Sequence, residues 1–159
     1  MYCLKLKNIL YLIGFIILCE LAGLIGSFFT IQSVQGWYLT LIKPEFNPPS
    51  WIFAPVWTTL YALMGISAYL VFTSGKKESK SALLIFGGQL ILNTLWSIIF
   101  FGLQSPFLAF LTIIVLWAMI VWTIYAFYHI SKKSAVLLIP YILWVSFAAV
   151  LNYFIMVLN

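Results

Sequence analysis

The chain has 159 residues, of which 65% are hydrophobic and only 7% are charged. A soluble domain carries about 25% charged residues, so this composition excludes a water-exposed surface and indicates that lipid is the solvent. The eight basic residues are all lysines. Proteins that bind nucleic acids usually carry a basic, solvent-exposed face that includes arginine, so the sequence does not favour a nucleic-acid partner.

Five apolar runs are long enough to cross a bilayer, whose hydrocarbon core of about 30 Å requires about 20 helical residues. They lie at residues 9–29, 55–72, 81–101, 107–128 and 135–158. Short connections containing Gly, Pro or Lys separate the last four runs, whereas the first connection, residues 30–54, is long and rich in proline. The sequence therefore predicts a single all-α integral membrane domain, residues 1–159. We expect a five-transmembrane-helix bundle whose long first loop acts as a lid.

The distribution of lysine predicts the orientation of this bundle. With five spans, the N-terminus and the second and fourth connections share one side of the membrane. That side carries seven lysines, and the other side carries only Lys43. Because cytoplasmic loops are enriched in Lys and Arg, we expect a cytoplasmic N-terminus, with the first loop and the C-terminus outside.

Three spans each present aromatic residues and a few amides on one helical face. In lipid, polar side chains within spans usually face other helices and often mark function. Ordinary bundle packing also produces such stripes, but three of them together favour a pocket for a flat apolar ligand, since ligand sites are mostly apolar with few polar groups. The stripes are Trp57, Tyr61, Met64 and Ala68; Gln89, Asn93, Trp96 and Phe100; and Tyr141, Trp144, Ala148, Leu151 and Asn152.

The sequence offers little conventional chemistry. Glu20 is the only carboxylate within a span, and it fits either a proton or cation site or a hydrogen-bonded side chain that holds helices together. The lack of a second acidic or basic residue within the spans favours the second role. A single histidine, His129, at a helix end argues against a metal centre. No standard catalytic motif occurs, so enzymatic activity is left open.

Motifs in the first loop and in three spans cover nearly the whole chain beyond the N-terminal tail. They are Gly36-Trp37-Tyr38, Lys43-Pro44, Pro48-Pro49 and Ala54-Pro55-Val56-Trp57; Gln89, Asn93, Trp96 and Phe100-Phe101-Gly102; and Pro140-Tyr141, Trp144, Phe147-Ala148 and Leu151-Asn152-Tyr153. In this combination the sequence resembles the translocator protein family. Its bacterial members are called tryptophan-rich sensory proteins, and its animal members the peripheral-type benzodiazepine receptor.

The resemblance implies a pocket under the first loop that binds porphyrins, notably protoporphyrin IX, and synthetic isoquinoline and benzodiazepine ligands. It implies pocket positions at Tyr38, Trp57, Asn93, Trp144 and Ala148. Some bacterial members are associated with light-dependent porphyrin breakdown, and the matching photochemical pair here is Trp57 and Trp144. That activity needs light and oxygen but no bound cofactor or metal. A carrier for porphyrins or other apolar ligands, and a sensor that acts without chemistry, are the alternatives.

These arguments together define the predicted site. Lys43 is expected to contact either a porphyrin propionate or a lipid headgroup. The predicted ligand-binding residues are Tyr38, Trp51, Trp57, Tyr61, Gln89, Asn93, Trp96, Phe100, Tyr141, Trp144, Ala148 and Leu151.

The remaining partners are predicted less directly. Small residues such as Gly23 and Gly26 fit either a homodimer or close packing within one bundle. After Tyr153 no basic residue follows, so cholesterol recognition of the animal type is not favoured. The composition suits a bacterial inner membrane, although the resembling family also occurs in mitochondrial outer membranes.

Overall fold

The computed structural model describes residues 2–159, with side chains from Leu6 onward. The chain is 85% helical, and five segments are long and apolar enough to cross a membrane. The protein is therefore an all-α integral membrane protein, as the sequence predicts. The elements are α1 (Tyr2–Val34), α2 (Trp37–Thr40), a 3₁₀ turn (Ser50–Ile52), α3 (Phe53–Phe72), α4 (Ser79–Ser97), a π-helical turn (Ile98–Gly102), α5 (Pro106–Ile130), α6 (Lys132–Leu137) and α7 (Ile139–Leu158).

The spanning segments pack in a ring. Helix α1 lies against α3 and α4, and α5 lies against α4 and α7. Contacts of α3 with α6 and α7 close the ring. Inward-facing side chains such as Met64, Ile120 and Tyr141 are fully buried at its centre. The order around the ring places α3, α4 and α7, which carry the three predicted stripes, around a common interior.

The lysine-bearing connections lie at one end of the ring. The Lys76 ammonium donates hydrogen bonds to the carbonyl oxygens of His129 (3.0 Å) and Ile130 (2.8 Å), which end α5. The rings of Tyr11 and Phe72 lie 5.3 Å apart, which brings the N-terminal part of α1 to the same end. We call this the lysine-rich end and the opposite one the first-loop end.

The first connection is shorter than the predicted residues 30–54. Helix α1 continues to Val34 and helical structure resumes at Ser50, so residues 35–49 form the connection. No Gly or Pro interrupts the chain between Gly26 and Gly36, so nothing stops α1 at the predicted boundary.

Side-chain hydrogen bonds hold this connection in place. The Tyr38 hydroxyl donates to Asn47 Oδ1 at 2.9 Å. Asn159 binds the backbone of Ile42 twice, since its Oδ1 accepts from the Ile42 N–H and its Nδ2 donates to the Ile42 carbonyl, both at 3.0 Å. Burial raises the pKa of the Tyr38 phenol, and the hydrogen bond to Asn47 lowers it by less. The phenol is therefore neutral at physiological pH and remains a donor.

Two glycines let α1 and α3 approach closely. A Cβ atom on Gly65 would lie 2.6 Å from Ile16 Cα, and one on Gly23 would lie 2.3 Å from the Tyr61 ring. A Cβ atom on Gly26 would lie 3.0 Å from the Ser97 Cβ, on α4. These small residues pack within one bundle, which is the second of the two roles predicted for them.

Candidate functional site

A cavity of about 480 Å³ lies between the first loop and the middle of the ring. Its size falls in the range of about 300–1,000 Å³ typical of ligand pockets. Four spanning segments line it, namely α1, α3, α4 with its π-helical turn, and α7, together with the first loop. Most of the lining is apolar or aromatic, so the cavity suits an apolar ligand.

Nine of the twelve predicted ligand-binding residues line this cavity. Helical periodicity placed eight of them on inward faces, the family resemblance indicated Tyr38, and the ring order brings these positions together. The nine are Tyr38, Trp57, Tyr61, Asn93, Trp96, Phe100, Trp144, Ala148 and Leu151.

The structure places the other three of the twelve, and the predicted propionate contact Lys43, outside the lining. Trp51 is 73% exposed, in the middle of the 3₁₀ turn. Gln89 and Tyr141 are fully buried one turn further toward the lysine-rich end, behind the cavity floor. Lys43 lies with its ammonium 4.7 Å from the centroid of the Tyr38 ring and donates to the Leu41 carbonyl at 3.2 Å.

The aromatic rings of the lining form two stacked pairs. Trp57 and Tyr61 lie 5.6 Å apart at an angle of 29°. Trp96 and Phe100 lie 5.5 Å apart at 26°. Offset stacking of this kind is a preferred geometry of aromatic groups, and it leaves broad ring faces in the cavity wall.

The π-helical turn adds a wall residue that the sequence pattern missed. The Leu103 N–H donates to the Ile98 carbonyl at 2.9 Å, an i to i−5 bond that accommodates an extra residue in the turn. As a result the consecutive residues Phe100 and Phe101 both line the cavity, with their ring centroids 4.8 Å apart.

A buried chain of hydrogen bonds forms the cavity floor. The Tyr61 hydroxyl donates to Asn93 Oδ1, and Asn93 Nδ2 donates to the Tyr141 hydroxyl at 3.0 Å. The Tyr141 hydroxyl donates in turn to Gln89 Oε1 at 2.8 Å. This chain links α3, α4 and α7. Tyr61 and Asn93 reach the cavity, and Tyr141 and Gln89 lie behind them.

The two inward-facing tryptophans of α4 and α7 differ in their hydrogen bonds. Trp96 Nε1 donates to Asn152 Oδ1 at 3.1 Å, and Asn152 Nδ2 donates to the Pro106 carbonyl at 2.8 Å. Trp144 Nε1 is buried and has no hydrogen-bond partner among residues 6–159. The Trp96 indole is therefore held by the protein, whereas the Trp144 indole is held by packing alone.

The sequence did not predict the α1 wall. Its residues are mostly small or aliphatic, and no aromatic stripe marks them; the one unusual signal was a carboxylate in a span, Glu20. The α1 residues that line the cavity are Glu20, Gly23, Leu24, Ser27, Thr30, Ile31 and Val34.

The cavity opens sideways between α1 and α3. Leu24 and Ile31 line the cavity and are nonetheless 61% and 62% exposed, and Ala54 and Thr58 across from them on α3 are also exposed. In a bilayer these positions face the acyl chains. An apolar molecule can therefore reach the cavity from the membrane without passing the first loop.

A second, shallower groove of about 580 Å³ lies between α3 and α7. Pro55, Leu63 and Pro140 are among its lining residues, and Trp144 is shared with the central cavity. The Trp144 ring thus separates the cavity from this groove.

No metal site accompanies the cavity in the described part of the chain. Among residues 6–159, no three His, Cys, Asp or Glu residues come together in a group that could hold a metal ion. The chemistry available within the cavity comes from aromatic faces, paired amides and hydroxyls, and one carboxyl.

The family profile described as TspO/MBR matches residues 15–158. The tryptophan-rich protein TspO of Chlorobaculum tepidum is 45% identical over 155 residues, covering 96% of this chain and 98% of that protein. Its counterpart in Archaeoglobus fulgidus is 47% identical over 152 residues, covering 96% and 99%. The human translocator protein is 36% identical over 143 residues, covering 88% and 85%. With the profile spanning almost all of the five-helix ring, and relatives matched over nearly their full length, the chain belongs to the TspO/MBR family.

Proposed function

We propose that the protein binds a tetrapyrrole, protoporphyrin IX, in the central cavity and supports its light-dependent breakdown. The observation that carries the proposal is the cavity of about 480 Å³, walled by aromatic rings from α3, α4 and α7. A planar macrocycle buried there exchanges water for aromatic faces, and offset stacking favours that contact. Family membership supports the choice of ligand, and isoquinoline-type ligands fit the same apolar walls.

The proposed photochemistry uses the cavity tryptophans Trp57 and Trp144. An excited porphyrin takes one electron from an adjacent indole, and the resulting porphyrin radical anion reacts with dioxygen. The net reaction adds one dioxygen across a carbon–carbon bond at a bridge of the macrocycle. That bond breaks, each carbon gains a carbonyl oxygen, and the electron returns to the indole. Dioxygen is the only oxidant consumed, and the protein is regenerated.

A spectral titration with protoporphyrin IX, in the dark and under illumination, tests both parts. We expect saturable shifts of the porphyrin absorption in the dark and loss of the macrocycle bands in the light. The double change Trp57→Phe and Trp144→Phe keeps the aromatic faces but removes the oxidisable indoles, so photobleaching should slow at equal occupancy. The control is Trp122→Phe, because Trp122 is 55% exposed and lies outside the cavity lining. Unchanged photobleaching in the double variant would refute the redox role of the pair.

Lys43 is the proposed partner of a porphyrin propionate. Its ammonium lies against Tyr38, which lines the cavity, so a propionate that reaches past the Tyr38 ring would meet it. Replacing Lys43 with Gln should weaken binding of the dicarboxylic porphyrin and leave its dimethyl ester unaffected. Equal loss for both ligands would leave only the headgroup contact for Lys43.

A carrier function is the alternative, and the lateral opening between α1 and α3 suits ligand uptake from lipid. However, a carrier also needs access from the lysine-rich end, where the buried hydrogen-bond chain through Asn93, Tyr141 and Gln89 closes the cavity. Transport of porphyrin across the membrane of protein-containing liposomes would support the carrier function. If the protein binds porphyrin but neither transports nor degrades it, the result would support a sensor that acts on partner proteins.

For the cellular setting, we propose a bacterial inner membrane with the lysine-rich end in the cytoplasm. The placement of Lys76, Lys77 and Lys80 in and beside the second connection supports this orientation under the positive-inside rule. Cysteine labelling of the first loop in intact cells tests it, since only an outward loop reacts with an impermeant reagent.

A further inference from the structure

Glu20 lies at the middle of the first spanning segment. It is fourteen residues from Leu6 and fourteen from Val34, the two ends of the first spanning segment. At 1.5 Å per residue it is about 21 Å from either end. An ionisable side chain at this depth is costly, and such residues usually face a bundle interior or a cavity and mark function.

Within residues 6–159 Glu20 has no hydrogen-bond or ion-pair partner. The polar groups nearby bind elsewhere, since the Tyr61 hydroxyl donates to Asn93 and the Thr94 hydroxyl donates to the Ala22 carbonyl, so the helix-bridging hydrogen bond that the sequence favoured for Glu20 is not formed there. Glu20 lines the central cavity and is only partly buried. One turn further, Gly23 packs against the Tyr61 ring, which also lines the cavity.

Several other polar groups of the cavity are already hydrogen-bonded, and the unpaired Trp144 Nε1 can donate a hydrogen bond but cannot accept one. Tyr61 donates to Asn93, Trp96 donates to Asn152, and Tyr38 donates to Asn47 outside the lining. The Glu20 carboxyl is the one acidic group in the lining and the strongest hydrogen-bond acceptor there. A ligand group that binds a carboxyl therefore finds its partner on α1 rather than on the aromatic walls.

The lateral opening leads directly to this carboxyl. Leu24, one turn from Glu20 toward the first-loop end, lines the cavity and faces the lipid, as does Thr58 on α3. An amphiphilic molecule that enters between α1 and α3 can place its apolar part against Trp57 and its polar group beside Glu20.

We propose that Glu20 binds a basic amine on an otherwise apolar ligand that enters the cavity from the membrane. The proposal rests on the proposed use of the cavity as a ligand site and adds a ligand class to it. A carboxyl and an amine share one proton, so the pair formed by Glu20 and the amine is neutral overall. No net charge is therefore buried in the membrane interior. Lys43 near the first loop attracts anionic groups, whereas Glu20 at mid-depth attracts basic ones, so the charge of a ligand sets its orientation.

The test compares two probes that differ only in the polar group, 1-naphthylmethylamine and 1-naphthalenemethanol. Calorimetric titration of the full chain in nanodiscs measures both affinities. We expect the wild type to bind the amine at least about tenfold more tightly than the alcohol, which corresponds to ~1.4 kcal/mol. Glu20→Gln should abolish this ratio while changing alcohol binding by less than about twofold.

Glu45→Gln is the matched control, because Glu45 is an exposed carboxylate in the first loop, outside the cavity lining. It should retain the wild-type ratio. A wild-type protein without amine preference, or a Glu20→Gln variant that keeps the preference, overturns the proposal. If Glu20→Gln does not fold, infrared difference spectra of the wild type replace it. The amine, but not the alcohol, must then change a carboxyl band identified by ¹³C-glutamate labelling, and no change overturns the proposal.

The dimethyl ester of protoporphyrin IX separates this inference from the proposed function. It carries no primary amine, so Glu20→Gln should bind it within about twofold of the wild type. If the wild type does not bind the diester while the amine preference holds, the tetrapyrrole function fails and the Glu20 site stands. If the diester binds and the amine preference is absent, the Glu20 site alone fails.

Discussion

The α1 wall and the opposite wall of the cavity, formed by α4 and α7, are built in different ways. Four polar side chains of α4 and α7 bind one another across the helices, in the pairs Asn93–Tyr141 and Trp96–Asn152, and only the Trp144 indole N–H of this wall is buried without a partner among residues 6–159. On α1 small and aliphatic residues dominate, the wall opens to lipid, and no hydrogen bond joins Glu20 to residues 6–159. Hydrogen bonds therefore position most of the aromatic wall before any ligand binds, whereas the α1 wall carries an acceptor that the protein leaves unused.

The largest effect is expected where α1 is held against α3. Gly65→Ala places a Cβ 2.6 Å from the Ile16 backbone, so α1 must shift. We expect a loss of about 1–3 kcal/mol, since overpacking of a rigid contact costs that much. Thermal unfolding in detergent measures it. Gly87→Ala is the control, because no atom lies within 4 Å of its added Cβ; there a helical Gly-to-Ala change should stabilise by up to about 1 kcal/mol. Equal stability of the two variants would contradict the close α1–α3 contact.

The hydrogen-bonded wall should be broken by Tyr141→Phe. This change removes the hydroxyl that accepts from Asn93 and donates to Gln89, and both amides are buried. Leaving such groups unsatisfied costs about 1–3 kcal/mol. Chemical or thermal unfolding of the purified protein measures the loss. Tyr153→Phe serves as the comparison, since Tyr153 is 46% exposed and should change stability little. A Tyr141→Phe protein as stable as wild type would show that this wall is not held by its hydrogen bonds.

The two tryptophans of this wall, Trp96 and Trp144, should differ in how much they contribute to stability. Trp96→Phe removes a hydrogen bond to Asn152, at a cost of about 1 kcal/mol. Trp144→Phe removes an N–H that has no partner among residues 6–159, so the loss should come from reduced ring area alone and be smaller. Unfolding midpoints of the two variants, measured side by side, test the order. A larger loss for Trp144→Phe would indicate that its indole N–H is bound.

The smallest effect is expected at the first loop. Asn159→Ala removes two hydrogen bonds to the Ile42 backbone at an exposed site, so stability should fall by less than about 1 kcal/mol. The change should instead appear as faster amide hydrogen exchange near residue 42. Ile42→Ala retains both bonds and should exchange as the wild type does. If Asn159→Ala leaves exchange unaltered, the contact does not fix the loop.

The sequence predicted the fold because each spanning segment is a long apolar run bounded by Gly, Pro or Lys. The helix extends beyond the predicted end of the first apolar run, since α1 continues through polar residues such as Thr30 and Gln32 that do not stop a helix. Helical periodicity indicated which faces of α3, α4 and α7 turn inward. It carries no information on depth, so Tyr141 and Gln89 were grouped with residues that reach the cavity.

Two parts of the cavity wall could not be predicted from periodicity. Phe101 joins Phe100 only because a π-helical turn inserts an extra residue, and that turn depends on tertiary packing. The α1 wall consists mostly of small and aliphatic residues such as Gly23, and the sequence does not distinguish a small residue that lines a cavity from one that only packs helices together. Glu20 was visible as an intramembrane carboxylate, but whether it had a partner depended on its neighbours in the ring.

The contact between Asn159 and the first loop has a consequence for sequence variation. Both hydrogen bonds end on the backbone of Ile42, and none on its side chain. Any residue except proline can therefore occupy position 42 without loss of the attachment, whereas position 159 requires a side-chain amide. The side chains of this part of the loop can therefore vary, while the residue that anchors it lies directly after the end of α7.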